Sequence, residues 1–209
     1  MTTRVRNRLL AAIGRLLFKV NMKTANQSVI GGNFTCNGIC MLRLKRSSKV
    51  TIGNSFKMNN SELFNSIGRQ YKCVITVRDN AELTIGDHVG MSSTAIFCNK
   101  RIVIGNHVKI GGNVCIYDTD FHSLDWFSRR SKPQDIKEAI SMEVLIGNDV
   151  FIGAHSTIFK GVKIGDRAVV GSCSVVTKDI PPDEVWAGNP ARFIRRNLTE
   201  SISLPILES

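Results

Sequence analysis

The chain has 209 residues, 43% of them hydrophobic and 22% charged, which fits one globular domain with a short appendage. Aromatics reach only 7%, which argues against a ring-rich core and for aliphatic and small residues in a regular array. The net charge is +11, yet residues 1–50 hold ten Lys or Arg and no acid before Glu62. That asymmetry suits an anionic partner near the N-terminus, or equally a solvated basic face.

Residues 1–24 predict a basic amphipathic helix. Leu9, Leu10, Ile13, Leu16, Leu17 and Val20 share one helical face, and Arg4, Arg8, Arg15 and Lys19 lie largely off it. Arg15 and Lys19 interrupt the apolar stretch and no small-residue cleavage site follows, so it reads as neither a membrane span nor a signal peptide. The expectation is a helix docking its apolar face on its own domain, with an anionic membrane surface as the alternative. Nucleic acid is not expected, because no Cys/His finger spacing occurs and no aromatics interleave the basic residues.

A repeat of six dominates the rest of the chain. Ile146, Ile152, Ile158, Ile164, Val170 and Val176 fall at intervals of six, and Gly147, Gly153, Gly165 and Gly171 follow four of them. Ile104, Ile110 and Ile116 form an earlier run. Ile85, Met91 and Phe97 keep the step, before one extra residue shifts the phase. Ile30-Gly31 and Ile52-Gly53 come first, in looser register. A period of six matches neither a helix nor a simple strand. It fits a β-helix whose coil is three short strands, with rungs stacking at intervals of eighteen, Ile146 over Ile164 and Ile152 over Val170. Gly-Asn and Gly-Asp pairs would turn the corners, where positive φ is tolerated. Six cysteines (Cys36, Cys40, Cys73, Cys98, Cys115 and Cys173) form no CxxC and read as reduced residues of a cytosolic protein, with Cys98 and Cys115 facing the interior or a site.

The repeat breaks once at length, at IYDTDFHSLDWF (residues 116–127), and a projecting loop is predicted over 117–141. His88, His107 and His155 each follow an Ile-Gly corner and read as corner residues. His122 lies outside the register, on a loop carried by a rigid scaffold, where function concentrates. An imidazole suits proton removal near neutral pH, and a carboxylate on its second nitrogen can fix the tautomer. Asp118 and Asp120 are both candidates for that carboxylate. No G-x-S-x-G elbow marks a covalent route. The gaps between the histidines (19, 15 and 33 residues) hold no close pair, so no metal is expected. Trp126, Arg129 and Arg130, beside Phe127, could stack on a sugar and meet an acidic group, or pack on a neighbouring subunit.

With its six-step rungs, VTKDIPP and AGNPAR, the chain resembles the hexapeptide-repeat acyltransferase superfamily over roughly residues 50–196. Residues 147–197 are most like the maltose, galactoside and polysaccharide O-acetyltransferase branch, although Phe151 stands where that branch commonly has Trp. The resemblance implies an all-β solenoid, a left-handed parallel β-helix over 25–187, closed by a short C-terminal helix and tail over 188–209. It implies acetyl transfer from acetyl-CoA to a saccharide hydroxyl, with His122 as general base and no acyl-enzyme. It places Ala154 and Ser172 beside pantetheine, and Thr177, Lys178, Arg192 and Arg195 toward the nucleotide. It further implies a homotrimer with sites between subunits. Cysteine usage points to the cytoplasm, and the basic helix leaves peripheral contact with the inner membrane face as the alternative to docking. N-acetyl transfer to a nucleotide-linked amino sugar is the rival within the fold. A non-enzymatic β-helix module is the rival outside it.

Overall fold

The computed structural model describes residues 3–60 and 72–197, with side chains from Asn7 onward. Three-strand coils stack into a parallel β-helix. The first coil is β1 (Gln27–Ile30), β2 (Thr35–Asn37) and β3 (Met41–Leu44), and the second is β4 (Lys49–Ile52), β5 (Lys57–Asn59) and β6 (Val74–Val77). Then come β7 (Glu82–Ile85), β8 (Gly90–Ser92) and β9 (Ala95–Cys98), followed by β10 (Arg101–Ile104), β11 (Lys109–Gly112) and β12 (Cys115–Tyr117). After an excursion the stack resumes with β13 (Val144–Ile146), β14 (Phe151–Ile152) and β15 (Thr157–Ile158), then β16 (Lys163–Ile164), β17 (Val169–Val170) and β18 (Val175–Val176). Every third strand pairs in parallel, which gives the three faces of a prism.

Register survives unequal sequence spacing. Ile30, Ile52, Ile85, Ile104, Ile146 and Ile164 pair in one unbroken column, because extra residues are expelled at corners and leave the rungs intact. Inward positions alternate with outward ones, and the enclosed core is mainly aliphatic, from Val50 and Ile52 to Val170 and Val176, with Phe56, Met58, Met91, Cys73 and Cys98 among them. Within β9 the inward residues are Ile96, paired with Ile116, and Cys98. Phe97, expected in the six-step, therefore lies on the outer face; the phase shift falls in the corner before β9, where Ser93 has φ 48°.

The corners work differently from the expectation. The positive φ falls on the residue after each Gly-Asn or Gly-Asp pair: Ser55, His88, His107, Asp149 and Arg167. The glycines answer close stacking instead, since a Cβ on Gly105 would lie 2.7 Å from the backbone carbon of Gly147. The Asn and Asp side chains form a ladder. Asp87 N–H donates to Asn106 Oδ1 at 2.8 Å, Asn106 N–H to Asn148 Oδ1 at 2.9 Å, and Asn148 N–H to Asp166 Oδ1 at 2.7 Å. Each side chain thus satisfies a backbone donor that the parallel ladder leaves open at the corner. His88 and His107 occupy corners and stack on each other at 4.7 Å.

Both ends of the prism are closed. At the N-terminal end, α1 (Thr3–Met22) buries Gly14, Phe18 and Met22, and Phe18 meets Phe34, which stacks on Phe56. This corrects the expected docking face. The helix packs through its narrow side because the carbonyl of Gly38 leaves no room for a Cβ at Gly14. The leucine stripe points away: Leu9, Leu16 and Val20 are 51%, 64% and 54% exposed. At the other end the expected helix is absent over the described residues. Instead β19 (Glu184–Gly188) pairs with β17, placing Trp186 over Val170, and β20 (Ala191–Arg196) folds back antiparallel. A turn through Asn189-Pro190 makes the hairpin, and its second strand covers an edge that would otherwise continue the stack. The tail after Asn197 lies outside the described residues.

Candidate active site

The excursion leaves the stack after Tyr117 and returns at Val144. Its two ends are zipped together: Met142 N–H donates to Asp118 O, Asp120 N–H to Ile140 O, and Thr119 bridges Ser141. A 3-10 turn (Ser128–Arg130) and α2 (Lys132–Glu138) fill the loop between them.

His122 is not held by either expected aspartate. Its Nδ1 lies 2.6 Å from Asp135 Oδ2, while Asp135 Oδ1 accepts the backbone N–H of Ser123 at 2.7 Å. Asp135 is 7% exposed, whereas the imidazole is 69% exposed. The hydrogen bond from His122, then that from Ser123 N–H, holds the Asp135 carboxyl below its ordinary range. An ionised acceptor on Nδ1 fixes the proton there and leaves the lone pair on Nε2. Among the described residues Nε2 has no partner.

The two aspartates have other work. Asp118 is fully buried and accepts three backbone N–H groups, from Asn99, Lys100 and Arg101, at 2.7 to 2.8 Å. It secures the corner between β9 and β10. Asp120 pairs with Lys160 of the next coil at 3.1 Å. Both root the loop, and neither touches the imidazole. Asp135 escaped sequence reasoning because it lies on α2, beyond the aromatic run. The one signal was an acid inside a basic insert.

Arg129 is likewise engaged internally: its guanidinium donates to the carbonyls of Ser123 and Leu124 at 2.7 and 2.9 Å. Arg130 sits over Trp126 at 4.7 Å, with Phe127 beside them, in an exposed cation–π cluster at the loop tip. Cys98 faces inward, and burial followed by the Asp118 carboxylate pushes its thiol up; Cys115 is on the outer face.

The remaining candidates divide between two edges of one sheet. Ala154 and Ser172 occupy successive coils at the same corner, where Cys173 N–H donates to Ala154 O. Side chains there are small, and a Cβ on Gly153 would meet Ser172 N. Thr177 and Lys178 follow the registered Val176 on the opposite edge, the edge from which the loop with His122 departs. Arg192 lies opposite Ala187 on the closing hairpin, whose Cβ approaches Gly171 at the first corner; Arg195 lies farther along, opposite Val185. One chain thus has Ala154, Ser172 and Arg192 toward one edge, and Thr177, Lys178 and the root of the loop that carries His122 along the other.

The family model described as bacterial transferase hexapeptide (six repeats) matches residues 143–178. The galactoside O-acetyltransferase of Escherichia coli (strain K12) is 43% identical over 108 residues, 52% of this chain and 53% of that protein. A putative lipopolysaccharide biosynthesis O-acetyl transferase of the same organism is 30% identical over 156 residues, 73% of this chain and 74% of its own. The matched stretch therefore spans about half the length of the first relative and most of the second. A solved galactoside acetyltransferase in complex with coenzyme A shares the fold with a TM-score of 0.54 and 25% identity, over 95% of this chain and 92% of that one.

Proposed function

The chain belongs to the hexapeptide-repeat acyltransferase family, and from that premise we propose that it transfers an acetyl group from acetyl-CoA to a saccharide hydroxyl. The observation that carries the proposal is His122, fixed through Nδ1 on a buried carboxylate with Nε2 free on an exposed imidazole. Acetyl-CoA supplies the acetyl group as an activated thioester. The acceptor hydroxyl gives its proton to Nε2 as its oxygen forms the new C–O bond. Asp135 steadies the imidazolium so formed. When the C–S bond breaks, Nε2 returns the proton to the departing sulfur, and His122 is restored. No acyl-enzyme is required.

Small residues at the Ala154 and Ser172 corner leave room for a slender pantetheine arm, while Lys178 and Arg192 are suited to phosphates. In one chain these groups sit on different edges. That separation supports lateral assembly as a homotrimer, each donor site being completed by a neighbour. The test is thiol release from acetyl-CoA with a panel of hydroxyl and amino sugars. Release with hydroxyl sugars is expected. Release with amino sugars alone would replace the reading by N-acetylation, and none with any sugar would overturn it.

The exposed leucine stripe of α1, flanked by Arg8, Arg15 and Lys19, supports peripheral attachment to an anionic membrane. No helix among the described residues is long and apolar enough to cross one. Because α1 also caps the prism, the test uses Leu9→Asp/Leu16→Asp/Val20→Asp in place of a deletion. Co-sedimentation with anionic liposomes should fall, and unchanged co-sedimentation would return the stripe to another role.

A further inference from the structure

We infer that the acceptor is a saccharide carrying a diphosphate, and that it lies in a basic, aromatic-floored cavity on the outer face of β3, β6, β9 and β12. The inference rests on the proposed function and specifies its acceptor class. The cavity encloses about 680 Å³ and is lined by Arg43, Lys45 and Arg78 at one end and by Phe97, Tyr117 and Phe121 at the other. The register builds it: Arg43 pairs with Thr76, Thr76 with Phe97, and Phe97 with Tyr117. Successive rungs lie about 4.8 Å apart, so this column grades from cationic to aromatic over about 14 Å.

Among the described residues, no ion pair neutralises Arg43, Lys45 or Arg78, all of which are exposed. The adjacent acid, Asp79, accepts a hydrogen bond from Ser47. Three cations spread over two neighbouring rungs match two linked phosphates better than one carboxylate, and a guanidinium fork grips phosphate in two-point fashion. The floor is built for a ring. Phe121 meets Phe97 edge-on at 4.7 Å and Tyr117 at 5.2 Å, leaving aromatic surface open to the cavity. Phe121 directly precedes His122, so the loop segment that carries the imidazole is anchored on this floor. A second, smaller cavity shares Arg78, Phe97 and Phe121 and reaches Ile136, which follows Asp135 on α2, and Ala139, just past the helix end. The floor and the carboxylate that fixes His122 are thus part of one packed unit. The diphosphate can be joined to a nucleoside or to a lipid, and the cationic end suits both.

The test is a binding titration of the full chain with a nucleoside diphosphate sugar, a short-chain polyprenyl diphosphate sugar and a neutral oligosaccharide. Inorganic pyrophosphate serves as competitor. At least one diphosphate sugar should bind at least about tenfold tighter than the neutral glycan and be displaced by pyrophosphate. The tighter of the two names the source. Arg43→Gln/Lys45→Gln/Arg78→Gln should weaken that binding at least about tenfold while acetyl-CoA affinity stays unchanged. The inference is overturned if neither diphosphate sugar binds, if the neutral glycan binds as tightly, or if the variant keeps full affinity. Altered sedimentation of the variant with unaltered ligand affinity would also overturn it, making this face a contact between copies. Tight diphosphate binding without thiol release would leave the cavity standing and remove the acetyl-transfer reading.

Discussion

The rung stack and the excursion at 118–143 are held by different physics. In the stack most inward residues meet another apolar residue above and below, and stability comes from apolar burial repeated coil after coil. In the excursion most of the large apolar side chains, Leu124, Trp126, Phe127 and Ile136, are exposed, and order comes from individual polar contacts. Asp118 holds a corner, Asp120 reaches the next coil, Arg129 gathers two carbonyls and Asp135 takes the imidazole. Losing one stack contact weakens a long column, whereas each loop contact is made once and has no repeat to replace it. On the proposed function, stability and chemistry therefore reside in different regions.

Substitution at the imidazole gives the largest expected effect on one side of that contrast. His122→Ala should lower kcat by about 10² to 10⁴, the usual contribution of a general base, with the melting temperature unchanged. The measurement is steady-state thiol release beside calorimetry. Full retained activity would remove His122 from the mechanism, and a fall in melting temperature would show the two regions are not separable.

The converse is Ile152→Ala. Ile152 is fully buried, and its column runs between Ile110 and Val170. Truncation should cost about 2 to 5 kcal/mol in urea unfolding, while kcat per folded molecule is preserved. A matching loss of kcat would mean that the stack transmits its packing to the loop.

A smaller effect should follow Asp135→Asn, which keeps the shape and removes the charge. We expect kcat to fall at least about tenfold, because the amide no longer fixes one tautomer or steadies the imidazolium. The same residue sets an acid limit on loop order. Its carboxyl is held below the ordinary carboxylate range, chiefly by the hydrogen bond from His122. The ionised form therefore adds stability above the ordinary carboxylate range, and that stability is lost as pH falls through the depressed value. Hydrogen exchange should show the loop loosening in acid while the prism holds, and the Asn variant should lose the Asp135 share of that transition, leaving the part due to Asp125 and Glu138. An identical acid profile in both proteins would place the effect elsewhere.

The same contrast explains what the sequence disclosed. The column from Ile104 to Val176 is legible because its period repeats, and a repeated signal survives single exceptions. The corner ladder was only half legible. Gly-Asn and Gly-Asp pairs marked the corners, but the close approach of Gly105 to Gly147 and the oxygens of Asn106 and Asn148 depend on a neighbouring coil. His122 stood out as the histidine off the register. Asp135 did not, because the thirteen-residue gap closes only when α2 folds back. The C-terminal strand ARFIRR read as a helix because the resemblance carried by VTKDIPP and AGNPAR implies a basic closing helix there. Pairing with β19 is a long-range event that local pattern does not announce. The docking face of α1 was hidden for a related reason: close backbone approach at Gly14 outweighed the larger apolar area of the leucines.

The smallest effect tests whether the outside of the prism matters to the stack at all. Lys49 and Glu82 pair across adjacent coils at 3.1 Å, with their side chains 50% and 35% exposed. Such a pair gains little in water, because solvent screens the attraction and two long side chains lose freedom. Lys49→Ala should therefore shift urea stability by less than about 1 kcal/mol. A loss approaching that of Ile152→Ala would require the outer ion pairs to act as a network along the prism. The expected small value would leave the aliphatic column as the source of the stack's strength.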